Sequence, residues 1–144
     1  MTEGYKRAIQ EKRFEYKGFP CVVVMQSMGF RTGYVGIPKS HPLYGWGYQD
    51  IDISCHGGLT YSHDSLVDQD DKDTWWIGFD CGHFEDGYDF ETAKKLFKDY
   101  PGTIRRIEVV QKTDLYGSYT SAYARSLSFC EEECRAIVEQ LLKD

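Results

Sequence analysis

The chain contains no apolar run approaching the roughly 18 residues a membrane-spanning helix needs, so no part of it is expected to cross a bilayer. Its first residues, MTEGYKRAIQEKRFEYKG, hold no apolar core of a signal peptide. A cytoplasmic protein is therefore expected. There is no CxxC pair among the five cysteines at 21, 55, 81, 130 and 134, which excludes a two-knuckle zinc site. The odd count also argues against a disulfide framework, and reduced thiols are the default. There is no basic stripe. The net charge of −6 argues against binding duplex nucleic acid through its phosphates. A local basic patch at Lys6–Arg13 or Arg105-Arg106 can still hold one small anion. Internal repeats and low-complexity segments are also absent.

What is present suits one domain. A chain of 144 residues can bury about 68–70% of its unfolded surface, enough for a core without staples. Eleven Tyr and eight Phe favour a β-rich or mixed fold, and 14 Gly imply many turns. Residues 1–13 are polar and read as a short helix or a flexible lead-in. Phe14–Tyr16 and Pro20–Met25 read as strands joined at Lys17-Gly18, and Cys21–Met25 has the β-branched character of a central strand. Phe30–Ile37 continues the meander. Pro38–Tyr48 is a loop whose Tyr44, Trp46 and Tyr48 either pack over the sheet or form a lid. Ile51–Ser54 alternates like a half-buried strand, Leu59–Ser62 is the next strand, and Trp75–Phe79 is the clearest buried one. Residues 91–98 form a helix that Tyr100-Pro101-Gly102 ends. Residues 103–113 fit neither period, and 115–121 form a loop. A final helix opens on a capping box at Ser128 and Glu131 and buries Cys130, Cys134, Ile137, Val138, Leu141 and Leu142. Strands followed by helices give an α+β fold: an antiparallel sheet packed against one or two helices in a single domain over 14–144.

The residues suited to chemistry concentrate between Ile51 and Asp86. Two blocks, Cys55-His56-Gly57-Gly58 and Asp80-Cys81-Gly82-His83, each end an apolar run. If their strands pair, His56 meets Asp80 and His83. Four readings stand. His56, Asp80 and His83 are donors of the kind Zn or Mn takes, which with a metal-bound water makes a hydrolase. Cys55 or Cys81 is a nucleophile with a histidine as base. The site only binds: Gly57-Gly58 lets a ligand approach the backbone, Tyr61 and Trp76 stack on it, and His56, Asp80 and His83 orient it. Or His56 and Asp80 bond each other and lock strand ends. The acidic run 64–73 lacks the glycine and final glutamate of an EF-hand, so it is a solvated loop.

The blocks Gly33–Pro38, Cys55–Ser62 and Trp75–His83 resemble a group of small bacteriophage and prophage proteins. That group carries HGGLT and WWIGFDCxH in the same order, followed by a C-terminal helix. The resemblance brings no established activity with it. It implies a phage context, with residence in the host cytoplasm, and a shared site at His56, Gly57, Gly58, Asp80, Cys81 and His83. Small acidic phage proteins often act as counter-defence factors. The leading expectation is therefore a protein that binds a small molecule, a nucleotide immune signal, at this site. The alternatives are a metal-dependent hydrolase and an inhibitor that covers a host defence protein with loop 43–48.

Overall fold

Strand β1 (Ala8–Tyr16) turns through Lys17-Gly18 into β2 (Phe19–Gln26), and β3 (Arg31–Pro38) pairs on the far side of β2. The computed structural model describes residues 4–66, 73–82, 86–113 and 124–143. Strands β4 (Tyr61–His63) and β5 (Thr74–Asp80) complete an antiparallel sheet in the order β1-β2-β3-β5-β4. Helices α1 (Phe90–Leu96), α2 (Pro101–Lys112) and α3 (Leu127–Leu141) follow. The α+β class and the helices on the sheet are as the sequence predicts.

All three helices use one face of the sheet. Cys21, Val23, Val35, Ile37, Ile77 and Phe79 meet Cys130, Cys134, Ile137, Val138 and Leu141 of α3. Met25 lies on the same side by the period-two rule and packs with Phe90, Ala93, Phe97 and Ile107 of α1, α2 and the turn between them. The opposite face holds Ala8, Val22, Val24, Tyr34, Leu66 and Trp76, with Tyr61 beside them. Val22, Val23 and Val24 are all fully buried. A strand covered on both faces reads as a continuous apolar run, which is what the sequence shows at this point.

Several elements depart from the sequence reading. Ala8–Arg13 belong to β1, neither helix nor lead-in. A bulge between Gln10 and Lys12 shifts the register at Glu11, and this break hides the strand's alternation. Ile51–Ser54 is not a strand. Its alternation is real, since Ile51 and Ile53 are buried. However, the β5 edge is taken by β4. The Gln140 amide substitutes for a neighbouring strand: its Oε1 accepts from Ser54 N–H at 2.8 Å and its Nε2 donates to Ser54 C=O at 2.8 Å. Tyr100-Pro101-Gly102 ends α1 but also starts α2, with Pro101 in the first helical turn, where its missing N–H costs nothing. The cap of α3 is Ser126, whose hydroxyl accepts from Phe129 N–H at 3.1 Å. Ser128 is already inside the helix, and Leu142 is exposed rather than buried. The loop expected over 115–121 lies outside the described residues.

The candidate functional site

Cys55 to Gly58 form a tight turn closed by Gly58 N–H to Cys55 C=O at 2.9 Å. Gly57 takes the third position with φ +68°, a conformation that a residue without Cβ adopts freely. The turn holds His56 against α3. His56 N–H donates to Glu133 Oε1 at 2.7 Å, and its ring meets Phe129 edge-on at 5.3 Å. Nε2 of His56 lies 3.0–3.1 Å from both oxygens of Asp86. Arg125 Nε donates to Asp86 Oδ1 at 2.8 Å, and its guanidinium lies over Phe129 at 5.2 Å. The Asp86 side chain has no solvent exposure. A carboxylate shut off from solvent needs polar partners in place of its water, and His56 and Arg125 take that place here.

A second network abuts the first. Arg31, 4% exposed, donates from Nε and Nη2 to Glu11 at 2.6 and 3.0 Å, and Nη2 is also 3.1 Å from Asp89. Its Nη1 donates to Arg125 C=O at 3.0 Å. The bulge at Glu11 accompanies this buried pairing of its carboxylate with Arg31.

The sequence-named residues do not form one cluster. His56 pairs with Asp86, not Asp80. Asp80 accepts from Thr60 Oγ1 at 3.1 Å and from Gly82 N–H at 3.0 Å. The two blocks do not sit on paired strands, because residues 51–58 form a coil that runs under α3. His83 lies outside the described residues, as do Asp68, Asp70 and Asp71. Among the described residues no three His, Cys, Asp or Glu side chains converge as a metal set. His56 and Asp80, named as ligands for Zn or Mn, have different partners and do not fit a shared ion.

The thiols are also placed against nucleophilic use. Cys55 is pushed up to about 11, by burial first and by the Glu133 charge second. Cys81 Sγ lies 3.7 Å from Cys130 Sγ. The hydrogen bond with Cys130 and then burial raise Cys81 far above the ordinary thiol range. A nucleophilic cysteine needs the reverse shift.

Tyr61, Trp76 and Asp80 share the face that carries no helix among the described residues, here called the helix-free face. Register places Tyr34 and Tyr61 on either side of Gly78, and Trp76 between Gly36 and His63. The Tyr34 and Tyr61 rings meet edge to face at 5.0 Å. Beside them opens a pocket of about 310 Å³ lined by Arg7, Ala8, Gln26, Tyr34, Tyr61 and Leu66. Gln26 Nε2 donates to Thr32 Oγ1 at 3.1 Å. Tyr34 is raised from its ordinary value, chiefly by burial. Of the loop aromatics, Tyr44 packs toward Trp75 and the core, while Trp46 stays exposed with its C=O taken by Trp75 Nε1 at 2.8 Å.

Sequence reasoning missed Asp86 and Arg125 at the first site, and Arg7, Gln26 and Tyr34 at the pocket. Asp86 closes the carboxylate-rich stretch but has no sequence feature that pairs it with His56. Arg125 stands one residue before the α3 cap, outside every motif. No family model, curated protein or solved structure matches the chain. Among the described residues, no helix is long and apolar enough to cross a membrane.

Proposed function

We propose that the protein is a binding module for a small planar ligand of the nucleotide class, seated in the pocket of the helix-free face. In the phage context that its sequence blocks imply, it would capture a nucleotide signal as a counter-defence factor. One observation carries the reading: the Tyr34–Tyr61 pair opens directly onto a pocket of about 310 Å³. That volume falls within the range of about 300–1,000 Å³ typical of small-molecule sites. Stacking on one aromatic wall contributes about 1–3 kcal/mol per base without demanding a particular base. Tyr61 keeps the ligand-contact role the sequence suggested. His56, Gly57 and Gly58 act on this reading as positioning residues that fix the 55–58 turn to α3.

The test is calorimetry and thermal shift with a panel of bases, nucleosides and nucleotides. A saturable heat is expected, weakened roughly tenfold in Tyr61→Ala and much less in Tyr61→Phe, as loss of one stacking partner requires. Absence of heat and of thermal shift across the whole panel would overturn the reading.

A further inference from the structure

We propose that the ligand of this pocket is an anion no larger than a mononucleotide, and that Arg7 supplies the charge that selects it. The inference rests on the binding reading above and narrows it. Size is the first argument. About 310 Å³ stands at the low end of small-molecule sites. It accommodates one ring system with a single charged group, and a second linked nucleotide would have to lie outside that volume.

Charge is the second argument. The chain has 17 basic against 23 acidic residues, and among the described residues the pocket lining holds one arginine and no carboxylate. Arg7 is thus the charged group on the described wall, while the carboxylates of Asp80 and Asp64 act on Tyr34 and Tyr61 from beyond it. Three other arginines are already ion-paired: Arg31 with Glu11 and Asp89, Arg125 with Asp86, Arg135 with Glu132. Arg7 is exposed and has no ion-pair partner among the described residues. A guanidinium matches the paired oxygens of a phosphate or carboxylate better than an ammonium does.

Placement is the third argument. The backbone at Arg7 is fixed from both sides. Thr103, fully buried in α2, accepts from Lys6 N–H at 2.7 Å and donates to Lys6 C=O at 2.9 Å. Arg7 C=O accepts from Ser27 N–H at 2.8 Å. A cation on an anchored backbone loses less freedom on binding than one on a loose terminus. Gln26 gives one amide N–H to Thr32, which orients the amide and leaves its oxygen to accept from the neutral part of the ligand. Tyr34, Tyr61, Leu66 and Ala8 supply the apolar walls.

The experiment is calorimetry of the full chain with matched nucleosides, their 5′-monophosphates and a cyclic dinucleotide, repeated with Arg7→Gln and Arg7→Lys. The monophosphates should bind roughly tenfold or more tightly than the nucleosides, the scale of one charge-assisted hydrogen bond. Arg7→Gln should abolish that gap, Arg7→Lys should keep part of it, and added salt should shrink it. The cyclic dinucleotide should give no heat. Circular dichroism melting of both variants should match the parent, since Arg7 has no ion-pair partner among the described residues to lose. Equal binding of nucleosides and monophosphates, or monophosphate binding untouched by Arg7→Gln, overturns the inference and leaves the binding reading standing. Tight binding of the cyclic dinucleotide overturns the size limit. No binding by any member removes both.

Discussion

Asp86 shows how a single residue's surroundings decide its role. Its carboxylate is shut off from solvent and held by His56 and Arg125. Removing the carboxylate takes the shared partner from His56 and from Arg125, whose side chain is 37% exposed and can turn to water. We expect Asp86→Ala to lower stability by about 1–3 kcal/mol, the scale of a lost buried acceptor whose donors can partly reach solvent, read from the urea midpoint. Asp86→Asn should lose less, because an amide oxygen can still accept from one donor. A loss below about 1 kcal/mol in Asp86→Ala would show that the cluster does not hold the fold. His56 was legible as a special residue from its block with Gly57-Gly58. Its partner was not, because Asp86 is 30 positions away and Arg125 is 69, and no spacing rule spans a turn-to-helix contact.

At the scale of the element, β5 depends on what its neighbours leave room for. A Cβ at Gly78 would lie 2.5 Å from the Tyr34 ring and 2.6 Å from Gly33 C=O. The ring can swing, but the carbonyl is fixed in the β3–β5 ladder. Gly78→Ala should therefore cost about 1–3 kcal/mol through overpacking, and it should also displace Tyr34 from the pocket wall. Denaturant unfolding checks the first effect, and tyrosine fluorescence or ligand heat the second. Strands β2, β3 and β5 and helix α3 were legible because their apolar period is unbroken. Strand β1 was legible at Phe14–Tyr16 but not over Ala8–Arg13, because the Glu11 bulge interrupts its alternation. Helix α2 was not, because its buried positions include Gly102 and Thr103, which carry no apolar signal.

For the whole molecule, the buried charge network links β1, β3, α1 and the entry to α3 through Arg31. Asp89 caps α1 and contacts the Arg31 guanidinium. Burial pushes its carboxyl up, but hydrogen bonds from Thr92 and the Arg31 charge outweigh burial, so the folded-state value lies below the ordinary 3.8. A depressed carboxyl adds stability that is present above its unfolded value and is lost as pH falls through the lower folded value. The parent protein should thus lose part of its stability on acidification from about pH 5 to below pH 4, in the ordinary carboxylate range. Asp89→Asn should be less stable near neutrality and should show a shallower acid slope over that window. Parallel slopes of urea midpoint against pH for the two proteins would contradict the assignment.

The sequence by itself determined the class of fold, the central strands, the burial of Cys130 and Cys134, and the special standing of the 55–58 turn. These follow from local causes: side-chain period, β-branching, and a glycine where φ must be positive. Only the tertiary structure decided which charges meet, which face carries no helix, and where a pocket opens. Those outcomes depend on sheet order and on contacts between residues distant in the chain. His56 therefore pairs with Asp86 under α3, while Tyr61, Trp76 and Asp80 turn to the opposite face.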